Sequence, residues 1–291
     1  MILFNILPPF VIILIGFLFG KIFPFDIKIL SKISLWIMAN TLTFTFINDY
    51  PPSLSQLKTY GSGIIILFII FYFISLPFKE NKSLLFTNSV YINTGYLGYP
   101  ILLSVWGEKA LSYGVIYSVI NMILGSIFVP MFLDKKISLK NTFKLPYIYV
   151  IILAYILSLL GINYRNFPKP ILETILLLKN AAIPVLLLFV GLSLSKITIN
   201  KINHKLLLST TLIRLFIYPF FALIYVIIFH MEKNLGKVFI LESAMPTAIN
   251  SVILIDALTG DSSDISFTVA ITTLFSAFTI PVWVFLIEKI I

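Results

Sequence analysis

Glu242 stands one helical turn before Pro246 in the run LESAMPTAINS, inside a stretch otherwise apolar enough to lie in a membrane. A second such stretch holds NTGYLGYP, Asn93 to Pro100, with two glycines and a proline in eight residues. Pro246 has no N–H for the Glu242 carbonyl and Pro100 none for that of Tyr96, so each run frees a backbone acceptor. Gly95 and Gly98 permit positive φ and close backbone approach. In hydrocarbon such breaks persist only inside protein or beside a wet cavity. Where broken helices meet, their N-termini offer free N–H groups to a carboxylate, while freed carbonyls suit a proton-bearing group or a cation. Asn93, Thr94, Thr247, Asn250 and Ser251 add neutral donors and acceptors, and Asn40 and Asn121 are further polar candidates in neighbouring spans. The breaks are expected to line a substrate cavity.

Ionisable residues inside spans are costly and functional by default. Glu242 is expected to carry a coupling proton, and Lys179, at similar depth, to pair with it or attract the anion; burial disfavours the charged form of both. Arg214, about eight residues from the end of its span, reads as a structural or snorkelling residue. Asp256 reads as a helix-end residue, and Asn121 fits a cavity lining or an interhelical hydrogen bond equally well. No H-E-x-x-H motif is present, TGDSSD (259–264) falls in a loop, and the chain has no cysteine. Its two histidines, His204 and His230, are expected in loops. Neither an enzyme, a metal site nor a cofactor is expected.

The elements that must position these residues follow from composition. Of 291 residues 59% are hydrophobic and 11% charged, too little charge to cover a soluble domain of this size. Apolar runs of span length recur throughout, so the chain is expected to be an all-α integral membrane protein with lipid as its main surroundings. Ten spans are expected, near 2–20, 33–47, 60–78, 84–105, 112–133, 147–160, 171–195, 206–229, 237–258 and 265–287. The first has no basic segment before it and is expected to be retained. Lysines in the short loops account for the net charge of +9 without nucleic acid. Twelve Lys and Arg fall on one side and seven on the other, which puts both termini outside a plasma membrane.

Two halves, 1–133 and 147–291, flank a cytoplasmic linker at 134–146. LPPFVIILIGFLFG from Leu7 matches LPYIYVIILAYILS from Leu145, and FPFDIKILSKISLWIMANTL from Phe23 aligns without gaps on FPKPILETILLLKNAAIPVL from Phe167. Gly107-Glu108 matches Gly260-Asp261, and the same offset sets Asn93 on Pro246. Five spans per half make the repeat inverted, an arrangement suited to opening alternately to two sides, with the site at the paired breaks.

At these residues the chain resembles the auxin efflux carrier family. NTGYLGYP resembles that family's fourth-span motif, LESAMPTAINS its ninth, NAAIPVLLLFVGLSL (180–194) its seventh and YSVINMILG (117–125) its fifth. The resemblance implies a ten-span, 5+5 inverted-repeat fold in which spans four and nine cross. It also implies secondary transport of a small organic anion, and a homodimer. Asn40 stands where the family usually has proline, so the substrate is not inherited. A sodium-coupled carrier of the bile-acid type is the alternative, with freed carbonyls and Glu242 as sodium ligands; a channel is the weaker one, since no charge ring or filter motif appears.

Overall fold

A computed structural model describes residues 2–23, 25–133, 146–197, 203–252, 255 and 263–291. Residues 256–262, with Asp256 and the first four residues of TGDSSD, lie outside them, as does the expected linker up to residue 145; Ser263 and Asp264, expected in a loop, are helical. The described chain is helical: α1 (Ile2–Ile22), α2 (Ile27–Asp49), α3 (Leu54–Ser75), α4 (Lys82–Val90), α5 (Thr94–Phe132), α6 (Pro146–Leu159), α7 (Lys169–Ser195), α8 (His204–Ile228), α9 (Lys233–Ser243) and α10 (Ser263–Ile290). Among the described residues seven helices are long and apolar enough to cross a membrane, and α6 is a shorter apolar helix. Large apolar side chains such as Leu14, Leu18, Phe220 and Phe278 are exposed, as suits a surface facing lipid.

The helix starts are chemically marked. Asp26 accepts from the Lys28 N–H to begin α2, six residues before the expected start of that span. Ser53 and Gln56 form a reciprocal capping box on α3. Asn203 caps α8, whose first residue is His204 rather than a loop residue, and Glu232 caps α9 through two N–H groups.

Packing joins the two ends of the chain. α1 lies along α7 and α2 along α6. At the first contact Gly191 sits against the Ile13 carbonyl and Gly16 against that of Leu188, where a Cβ on Gly16 would come within 2.6 Å of the oxygen. Small residues let membrane helices approach this closely. At the second, Asn48 donates to the carbonyls of Ala154 (3.3 Å) and Ile162 (3.0 Å), while Asp49 and Arg165 form an ion pair at 2.7 Å.

Two interruptions matter for function. α4 stops at Val90, residues 91–93 are not helical, and helix resumes at Thr94. The break therefore precedes Gly95, Gly98 and Pro100, which belong to the helix that follows and not to the gap. A widened turn over Thr94–Gly98, closed by the Tyr99 N–H on the Thr94 carbonyl, accommodates the N–H that Pro100 lacks. α9 stops at Ser243, and Pro246 lies in the gap before helix resumes at Asn250. α5 is itself divided: Gly107, at φ +78°, separates limbs 94–106 and 108–132, and Leu102 of one limb lies against Gly114 of the other.

Candidate functional site

The two gaps are joined through their backbones. The Asn93 N–H donates to the Pro246 carbonyl at 2.9 Å and the Ala248 N–H to the Tyr91 carbonyl at 2.8 Å. Ile92 and Thr247 are thus an isolated antiparallel bridge. Buried backbone groups need partners, and here each gap supplies those of the other.

The Glu242 carbonyl, expected to be freed by Pro246, accepts instead from the Met245 N–H at 3.2 Å, and side chains take further acceptors at the two C-terminal ends. Asn121 donates to the Val90 carbonyl at 3.2 Å, and Thr247 Oγ1 to that of Asn88 at 3.0 Å. Arg214, fully buried, donates through Nε to the Met245 carbonyl at 2.9 Å, through Nη1 to Ser89 and through Nη2 to Ser243. Its guanidinium also lies 4.1 Å from the Tyr218 ring. A widened turn over Ile213–Ile217 carries it, and the Trp283 indole N–H, 2.8 Å from the Leu215 carbonyl, takes an acceptor of that turn. Arg214 is therefore neither snorkelling nor peripheral. Sequence reasoning missed this because its partners are carbonyls, which carry no sequence label; the available signal was an arginine deep in the apolar run TTLIRLFIYPF.

Beside the bridge lies a cavity of about 60 Å³, lined by Asn40, Asn93, Thr94, Gly95, Asn121 and Asn250, with Tyr91, Tyr96, Tyr99 and Tyr147 among the aromatic walls. On the scale of enclosed water sites this holds a few waters. Six of the predicted residues thus come together. Gly98, Pro100, Pro246, Thr247 and Ser251 do not line it; they shape the half-helices and the bridge behind it. Both polar atoms of the Asn93 side chain and Asn40 Oδ1 are buried without a hydrogen-bond partner among the described residues. Gly95 opens onto free space, and the first N–H groups of α5 have no acceptor within their own helix. Asn250 reaches the Tyr96 hydroxyl at 3.5 Å. Asn88, which sequence reasoning did not single out, is buried beside Thr247 with its amide unpartnered.

Glu242 is the last residue but one of α9, ten positions along the helix, deeper than the sequence suggests. It is fully buried, and neither carboxyl oxygen has a partner among the described residues. Its carboxyl fills the space of two missing side chains. A Cβ on Gly98 would fall on Oε2 and lie 2.8 Å from Cδ, and one on Gly114 would lie 2.7 Å from Oε1. Lys179 is not its partner. The Lys179 ammonium pairs with Glu108 at 3.1 Å and sits 4.7 Å from the Phe46 ring. Lys179 is a long flexible side chain and reaches the half-exposed Glu108, which keeps its charge in contact with water.

Helices long and apolar enough to cross a membrane, two helix breaks paired with each other and a small cavity with amide side chains in its wall are features that suit a membrane transport protein. Residues 129–284, more than half the chain, match the family described as membrane transport protein, and the chain belongs to that family, the one that includes the auxin efflux carriers. It is 27% identical over 300 residues to an uncharacterized transporter of Methanocaldococcus jannaschii, covering 94% of each chain. To an uncharacterized transporter of Methanothermobacter thermautotrophicus it is 26% identical over 206 residues, covering 66% of this chain and 64% of the relative.

Proposed function

We propose that the protein is a secondary active transporter that carries a small organic anion by alternating access, with a proton on Glu242 as the coupling ion. The observation that carries this reading is the antiparallel pairing of two broken segments beside a cavity into whose wall the unpartnered Asn93 amide and Asn40 Oδ1 are built. The first turn of α5 directs its positive end there, and the Asn93 amide supplies an unpartnered neutral donor. No charged residue is among those lining the cavity, so a carboxylate would be held by hydrogen bonds alone, weakly enough to leave.

In this reading the chain crosses a plasma membrane ten times as two inverted sets of five, 1–133 and 147–291, with both termini outside. α4 with the first limb of α5 makes the fourth pass, and α9 with the helix resuming at 250 makes the ninth; they cross at the bridge. The contacts of α1 with α7 and of α2 with α6 support this, because a two-fold relation between the halves interchanges them. The 39 residues of α5 support it too. A straight helix of that length would be ~58 Å long, about twice the hydrocarbon core, and Gly107 divides it.

Burying an ionised carboxylate without a partner costs several kcal/mol. Glu242 is therefore neutral while enclosed between Gly98 and Gly114, and ionises when movement of the limbs admits water. Reconstitution into proteoliposomes with labelled mono- and dicarboxylates, under imposed pH and sodium gradients, tests the proposal. Saturable uptake with exchange between substrates, driven by pH and not by sodium, is the expected result. Asn93→Ala should raise the half-saturation concentration about tenfold, the loss of one or two hydrogen bonds, without lowering the melting temperature. Flux that never saturates and shows no exchange would mark a channel instead.

A further inference from the structure

We propose that Arg214 is a resident cation that fills the place a coupling metal ion would need at the paired breaks, so that the protein holds its breaks together without sodium. The accounting of backbone acceptors leads there. The C-terminal ends of α4 and α9 converge at the bridge, and each brings the negative end of a helix dipole. Freed carbonyls at such ends are suitable ligands for a hard cation. Here the carbonyls of Ser89, Ser243 and Met245 all accept from one guanidinium, those of Asn88 and Val90 accept from Thr247 and Asn121, and those of Tyr91 and Pro246 accept across the bridge.

Arginine suits this place better than lysine. Its planar fork carries five donors in fixed directions and remains charged at any working pH, whereas an ammonium is a point charge. The Tyr218 ring covers one face of the guanidinium and α8 holds its stem, so the cation stays with the protein through any movement. The widened turn at Ile213–Ile217 is the device that aims it. α3, in the corresponding place of the first half, has no charged residue from Tyr60 to Ser75, so one cation serves both breaks. No gradient can load or unload such a cation. The consequence for coupling rests on the transport reading above, but the presence of the resident cation does not.

Melting curves of the purified protein test the two separately, since they need no substrate. The wild type should melt at the same temperature in sodium and in choline at equal ionic strength. Arg214→Ala should melt roughly 10 °C lower, as expected for three buried acceptors left bare. Guanidinium at about 10 mM, too dilute to denature, should restore at least half of that loss and leave the wild type unmoved. If Arg214→Ala cannot be purified, Arg214→Lys keeps the charge without the fork and should melt between the two. Stabilisation of the wild type by sodium, an Arg214→Ala melting point that does not fall, no response of that variant to guanidinium, or a wild-type melting point in Arg214→Lys would each overturn the proposal.

Discussion

Arg214 and Glu242 are both wholly enclosed where the two breaks meet, yet they are treated in opposite ways. The arginine donates to carbonyls of two half-helices and of the gap after the second, and lies over a tyrosine ring. The carboxyl has no partner among the described residues and only two glycines to lodge between. A charge that is fully solvated by protein can be permanent, and it becomes part of the fold. A carboxyl that is merely enclosed is tolerable only in its neutral form and must change charge when its surroundings become wet. The contrast separates the group that holds the breaks from the group that responds to them.

That contrast can be tested through the space around Glu242, where the largest effect is expected. Gly98→Val puts branched carbon onto the carboxyl, an overpacking that costs about 1–3 kcal/mol and should abolish transport. Adding Glu242→Ala to it should return most of the stability but not the transport, which a thermal-shift measurement on the double variant would read. If the second substitution restores nothing, the glycine has some role other than making room for the acid.

The smallest effect is expected at Lys179. Lys179→Ala removes an ion pair with a half-exposed Glu108. Such pairs contribute about 0–1 kcal/mol, so thermal stability and the pH dependence of uptake should both stay near those of the parent. A changed pH profile would return Lys179 to the coupling machinery.

The sequence shows some of this plainly and hides the rest for physical reasons. Pro246 marks its gap correctly because an extended, non-donating residue is what a gap between helices uses. NTGYLGYP points to the right neighbourhood but the wrong side of it. Glycine and proline are tolerated in the opening turns of a helix, so they label the resumption at Thr94 and not the non-helical residues 91–93. Glu242 is legible because an acid in an apolar run must be explained. The partners of Arg214 are not legible, being backbone atoms from residues far along the chain. The pairing of Lys179 with Glu108 depends on where a long side chain finds water, which spacing along a span does not give.

The most direct measurement compares wild type and Glu242→Gln in proteoliposomes, following both accumulation driven by a pH gradient and exchange at equal pH. The amide of that variant keeps the shape of the acid and cannot give up a proton. The account predicts that pH-driven accumulation is lost while exchange continues and no longer varies with pH. Accumulation in Glu242→Gln that still follows the pH gradient would contradict it.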